Sequence, residues 1–118
     1  MAEDPRQLLN EDRQGLEFLE EADSQRLEAF TSLSDTVKGP GALDRKTKEL
    51  IGLGIAMYTR CKYCIAWHTD KALEAGATRE ELIETGFVAG IMGGGPTIAY
   101  SATLLKDAIN TFAPDYGK

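Results

Sequence analysis

Apolar residues recur at spacings of three and four along most of this chain, the period of helices that pack on one face. Leu8, Leu9, Leu16, Phe18 and Leu19 predict a first helix from about Pro5 to Glu21, with a strongly acidic polar face. Leu27, Phe30, Leu33 and Val37 predict a second, stopped by Gly39-Pro40-Gly41. Asp44 is placed to cap a third helix running to about Thr59. Its residues Leu50, Ile51, Leu53, Ile55, Ala56, Met57 and Tyr58 cover nearly the whole circumference, which predicts a helix buried at the centre of a bundle. A fourth helix is expected from about Lys62 to Ala75, with Gly76 as its stop. Thr78 followed by Glu81 forms a capping box that opens a fifth. Gly93-Gly94-Gly95-Pro96 breaks the chain before a last helix, about Thr97 to Phe112, and the tail after Pro114 is expected to be loose. No strand pattern or internal repeat is visible. The expected fold is therefore an all-α bundle of five or six helices, one domain over residues 1–118. The first helix, amphipathic and separate in character, is a candidate for packing between subunits.

Charge and composition narrow the function. A net charge of −6 with scattered Lys and Arg leaves no footprint for nucleic acid and disfavours an anionic membrane. The N-terminus Met1-Ala2-Glu3-Asp4-Pro5 is acidic where a signal peptide is basic. The most apolar run, Leu50 to Tyr58, is too short to span a bilayer. The expected location is cytoplasmic. In a reducing cytosol a lone pair such as Cys61 and Cys64 reads as redox or metal chemistry, because the tiny loop it closes makes a poor staple.

On a helical wheel Cys61 and Cys64 lie about 60° apart, and His68 falls between them in angle. The sole histidine thus shares a face with both cysteines. Tyr63 is expected on the opposite side. The start of a helix favours an anion, so a thiol there is shifted toward its reactive thiolate. His68 follows Cys64 by one turn, the spacing at which side chains meet, whereas it lies roughly 10 Å along the axis from Cys61. Glu49 shares an angular face with Leu53 and Ala56 in the third helix. Partial desolvation there is expected to raise its pKa and suit it to relaying protons.

Other readings exist for each residue. A Cys-x-x-Cys can be half of a zinc site, but no second pair exists, and Cys-Cys-His-Glu is an unusual structural set; no metal and no cofactor are expected. Two cysteines can pack as small hydrophobes, a histidine can be a satisfied core residue, and Glu49 can simply stabilise a helix start. Trp67 and Tyr63 read as packing residues rather than substrate platforms. The glycine-rich stretch 86–95 lacks the Lys-Ser/Thr of a phosphate loop and reads as a close approach of helices. A thioredoxin fold needs βαβ units, and none is readable.

The run Glu49-Leu50-Ile51, then Cys61-Lys62-Tyr63-Cys64-Ile65-Ala66-Trp67-His68, then Ala72, Glu74-Ala75-Gly76-Ala77-Thr78 and Glu80-Glu81 resembles the carboxymuconolactone decarboxylase superfamily, in its alkylhydroperoxidase D-like branch. Met92-Gly93-Gly94-Gly95-Pro96 resembles it too, and the likeness covers about residues 43–105. The resemblance implies an all-helical fold assembled as a homotrimer or homohexamer. It implies peroxide reduction by the cysteine pair, recharged by a dithiol carrier such as a lipoyl-bearing protein. By position it makes Cys64 the peroxide-attacking cysteine, Cys61 its disulfide partner, His68 the relay histidine and Glu49 the relay carboxylate. One departure stands out: Tyr63 occupies the place where the well-studied branch carries a second histidine. The decarboxylase branch generally lacks the cysteine pair. Three functions follow as candidates: a peroxidase or disulfide reductase, a decarboxylase-like lyase using His68 as acid or base, and a non-catalytic redox-responsive assembly module.

Overall fold

In the computed structural model, which describes residues 3–118, the chain is all helical. The order is α1 (Pro5–Ala22), α2 (Ser24–Lys38), α3 (Arg45–Thr59), α4 (Lys62–Glu74), α5 (Arg79–Gly93), α6 (Gly95–Tyr100) and α7 (Lys106–Phe112). A π-helical turn, Ser101–Leu105, joins α6 to α7, so the two continue one another as the single last helix that the apolar pattern predicts. No strand occurs among the described residues, and none of their helices is long and apolar enough to cross a membrane.

Local chemistry fixes the boundaries. Asp4 accepts the Arg6 backbone N–H at 3.0 Å and Pro5 opens α1. Asp23 closes α1 and also caps α2, accepting the Arg26 N–H at 3.1 Å. Asp44 caps α3 through the Thr47 N–H at 2.8 Å. The predicted capping box at α5 forms, with Thr78 Oγ1 accepting from Glu81 N–H and the Glu81 carboxylate accepting from Thr78 N–H. The turn between α3 and α4 takes two residues: Arg60 adopts the left-handed conformation at φ 58°, and Cys61 follows it at once as the N-cap of α4. That turn places both cysteines at a helix start.

α3 packs most extensively on α4 and α5, while α1 lies across α4 and α7. Leu53 and Met57 of α3, Ile65 and Leu73 of α4, Leu82 of α5, Leu105 and Phe112 form the fully buried centre. α3 is not buried all round as its composition predicts. Glu49, Leu53, Ala56 and Met57 face inward, but Ile51, Ile55 and Tyr58 are 48%, 59% and 55% exposed. α3 is central in connectivity, yet one flank has no neighbour in the protomer. α2 goes further and buries no residue; Phe30, Leu33 and Val37 stand outward. α1 buries Pro5 and Leu8 at its start and leaves Leu16, Phe18 and Leu19 exposed toward its end.

The tail also differs from expectation. Residues after Pro114 are tied down: Tyr116 Oη donates to Asp70 at 2.7 Å, and Lys118 Nζ donates to the Ala77 carbonyl at 2.7 Å. Arg79 Nε donates in turn to the Lys118 carbonyl at 3.0 Å. The reason is long-range: each partner lies some forty residues away in sequence, beyond any local pattern.

Candidate functional site

Cys61 and Cys64 are joined as a disulfide at the start of α4, with Cα atoms 5.2 Å apart, inside the usual range for a bridge. Cys61 is the N-cap, and its Sγ accepts the backbone N–H of Cys64 at 3.2 Å. In the dithiol form the same N–H groups and the helix dipole favour a thiolate at Cys61. One turn further along, His68 Nδ1 lies 2.8 Å from Glu49 Oε1. The spacing of four from Cys64 keeps His68 on the same side of the helix.

Glu49 is fully buried in the second turn of α3, where an isolated carboxylate would be costly. It is not isolated. Arg45 Nε donates to Oε2 at 2.8 Å from the preceding turn, and Lys38 Nζ, at the end of α2, stands 3.7 Å from the same oxygen. Burial pushes the carboxyl up, but the hydrogen bonds from His68 and Arg45 and the Lys38 charge outweigh it and hold it at about 2. The raised pKa expected from desolvation is therefore corrected: Glu49 is a permanent anion at neutral pH. An ionised carboxylate only accepts, so Nδ1 of His68 must carry the proton. This leaves Nε2 with the lone pair of the neutral ring, the arrangement of a base oriented by a buried carboxylate.

A cavity of about 710 Å³ opens beside this group. Cys64 and His68 line it with Tyr63, Trp67, Phe30 and Lys38, and Cys61 does not. Tyr63 therefore does not point away from the site as the wheel centred on Cys61 suggests. It lies about 160° from Cys61 but only about 100° from Cys64, so both fit one broad face between α1 and α2. Its hydroxyl donates to Glu11 at 3.1 Å. That hydrogen bond and the Glu11 charge push the phenol up, so Tyr63 stays protonated and cannot serve as a base. Trp67 carries Lys71 Nζ 4.9 Å over its ring. Both aromatic residues are walls of the cavity, and Tyr63 also packs against the core.

The structure thus gathers all four sequence candidates: the cysteine pair, His68 and Glu49. Arg45 and Lys38 were missed. Arg45 had a signal, since it precedes Glu49 by four on one helix. Lys38 had none, because only the packing of α2 brings it near. Among the described residues no group of three or more His, Cys, Asp or Glu side chains is gathered to hold a metal ion.

The family model described as carboxymuconolactone decarboxylase family matches residues 25–107. The chain belongs to the carboxymuconolactone decarboxylase family. Among solved structures of that family, a Legionella pneumophila protein in its apo form superposes with a TM-score of 0.84 at 32% identity, covering 97% of each chain. One from Thermotoga maritima, for which a role in the antioxidative response has been suggested, gives 0.73 at 29% identity, covering 92% of this chain and 95% of that one. Among curated sequences, a cox-locus protein of Paracoccus denitrificans is 40% identical over 74 residues, covering 63% of this chain and 67% of its own length. An uncharacterised Cupriavidus necator protein is 35% identical over 94 residues, covering 78% of this chain and 83% of its own length. The family thus accounts for the all-α bundle.

Proposed function

We propose that this family member is a thiol peroxidase of the alkylhydroperoxidase D-like type, acting in the cytoplasm. The observation that carries the reading is the Cys61–Cys64 pair at a helix start beside a histidine already oriented by a buried carboxylate. In this reading His68 Nε2 takes the Cys64 proton. The Cys64 thiolate attacks one peroxide oxygen, the O–O bond breaks, and the alcohol or water leaves with a proton. Cys64 is then a sulfenic acid, oxidised by two electrons. Cys61 attacks that sulfur, water leaves, and the disulfide forms. A dithiol, by resemblance a lipoyl-bearing protein, returns two electrons and becomes a disulfide itself. Cys64 lines the cavity, and a thiolate at Cys61 is stabilised by the N-cap hydrogen bond. Both features favour reductant attack on Cys64 with Cys61 as leaving group.

The suggested antioxidative role of the Thermotoga relative supports the same direction. Coupled consumption of peroxide and a dithiol is the test. Lactone turnover surviving loss of both cysteines would select a lyase built on His68 instead. A disulfide that forms once without turnover would select a redox-responsive module.

The reading includes a homo-oligomer, trimeric or hexameric. Phe30, Leu33 and Val37 of α2, Ile51 and Ile55 of α3, and Phe87, Val88, Ile91 and Met92 of α5 are all exposed in the protomer. Monomers rarely expose large apolar patches, and such exposed apolar side chains on three helices favour burial against other copies. Sedimentation at micromolar concentration is expected to give three or six times the protomer mass of 12.9 kDa. A monomer alone would contradict it.

A further inference from the structure

Gly52 sits in the middle of α3, three residues after Glu49. Glycine is disfavoured in a helix interior relative to alanine, because it loses more backbone freedom. Nothing in the backbone calls for it: the positive-φ glycines are Gly76, Gly94 and Gly117, and Gly52 is not among them. What Gly52 provides is space. A Cβ there would lie 2.8 Å from His68 Cε1, 2.9 Å from Nδ1 and 3.2 Å from Nε2. Carbon–carbon contacts are comfortable only near 3.5–4.0 Å, so the imidazole rests on bare backbone. The crowded atoms include Nδ1, the one that meets Glu49. Gly54, two residues on, is different: a Cβ there meets only Thr85 Cγ2, at an ordinary 3.7 Å.

We propose that Gly52 is a positioning residue for His68: its missing side chain is the slot that lets the ring lie against α3 with Nδ1 on Glu49. A methyl group at this position has to displace something. The backbone of α3 is held by the core through Leu53 and Met57. The His68 ring is the free end of a rotatable side chain, only partly buried. The ring therefore yields, Nδ1 leaves Glu49, and Nε2 loses its fixed direction. The effect on rate rests on the thiol peroxidase reading; the effect on the ring does not.

The experiment compares wild type, Gly52→Ala, Gly54→Ala, His68→Ala and the Gly52→Ala/His68→Ala pair. Because His68 is the sole histidine, its ring nitrogens give unambiguous signals in long-range proton–nitrogen NMR. At alkaline pH the wild type and Gly54→Ala are expected to show the Nδ1–H tautomer. Gly52→Ala is expected to show mainly the Nε2–H tautomer of a free imidazole, with unchanged helical circular dichroism. Single-turnover oxidation of the cysteine pair by peroxide is expected to slow at least about tenfold in Gly52→Ala, a part of the roughly hundredfold or more that a positioned base contributes. It should change less than about twofold in Gly54→Ala. The double variant should be no slower than His68→Ala alone, because Gly52 acts only through that ring. If Gly52→Ala does not fold, removing the ring by His68→Ala in the same chain should restore folding. An unchanged tautomer in folded Gly52→Ala, an additive loss in the double variant, or failure of that restoration would each overturn the proposal. The expected tautomer change without peroxide turnover in any variant would leave the role of Gly52 standing and sink the peroxidase reading.

Discussion

Replacing Cys64 by serine is expected to abolish peroxide turnover, a loss of at least about a thousandfold, since both nucleophile and disulfide go with it. Replacing Cys61 by serine should give a different defect. Cys64 keeps its place in the cavity and its histidine, so it should still consume one equivalent of peroxide. With no partner thiol the reaction should stop there, with a sulfenic acid on Cys64. A sulfenic-acid probe followed by peptide mass spectrometry reads the difference. The assignment runs against the habit of choosing the first cysteine of such a pair. Cys61 is the N-cap and accepts the Cys64 N–H, which makes it a good thiolate. Cys64 is the sulfur that lines the cavity with His68. Access and the base point to Cys64 as attacker, and the helix start suits Cys61 to resolve and to leave. A sulfenic acid on Cys61 in the Cys64→Ser protein, with none on Cys64 in the reciprocal variant, would reverse the order.

The second large effect concerns Glu49 and pH. Its folded pKa of about 2 lies below the ordinary 4.5, so the unfolded chain binds the proton more readily. The carboxylate therefore stabilises the fold above pH 4.5, and that contribution falls away as pH drops through about 2. The shift corresponds to roughly 3 kcal/mol at neutral pH, of which about 2 kcal/mol is lost by pH 3. Glu49→Gln leaves Arg45 and Lys38 without their anion and should cost about 3 kcal/mol at pH 7. It should also be nearly free of this acid loss, so the stability gap to wild type narrows on acidification. Urea unfolding of both proteins at pH 7 and pH 3 checks it. A gap that stays constant would mean that Glu49 is not held as an anion by its neighbours. At pH 7 the variant should also slow Cys64 oxidation, because an amide does not dictate the His68 tautomer as a carboxylate does.

Much of the site is legible in the sequence. Cys61, Cys64 and His68 share a helical face by spacing alone, and the capping residues Asp44 and Thr78 and the breakers at Gly39-Pro40-Gly41 set the bundle's outline. Periodicity does not say what covers a face, however. α3 is apolar all round, yet only one face packs on α4 and α5, while Ile51, Ile55 and Tyr58 on its other flank stay half exposed. The sign of the Glu49 shift was hidden for a related reason. Desolvation is readable from an apolar helix, but the Lys38 ammonium comes from another helix and the His68 ring from a third. The tail's anchors to Asp70 and Ala77 are likewise tertiary. Gly52 is the instructive case. A glycine inside a strongly helical segment is a visible anomaly in the sequence, but only the ring lying against it shows what the space is for.

The central claim is that the cysteine pair turns over peroxide at the expense of a dithiol. The direct measurement follows peroxide loss and dithiol oxidation together, with hydrogen peroxide and an organic hydroperoxide each tried against lipoyl-type and simple dithiols. The account predicts catalytic, one-to-one consumption with at least one pair of substrates, absent in Cys64→Ser and slowed in His68→Ala. Peroxide loss that never exceeds one equivalent per protein with every dithiol would contradict it.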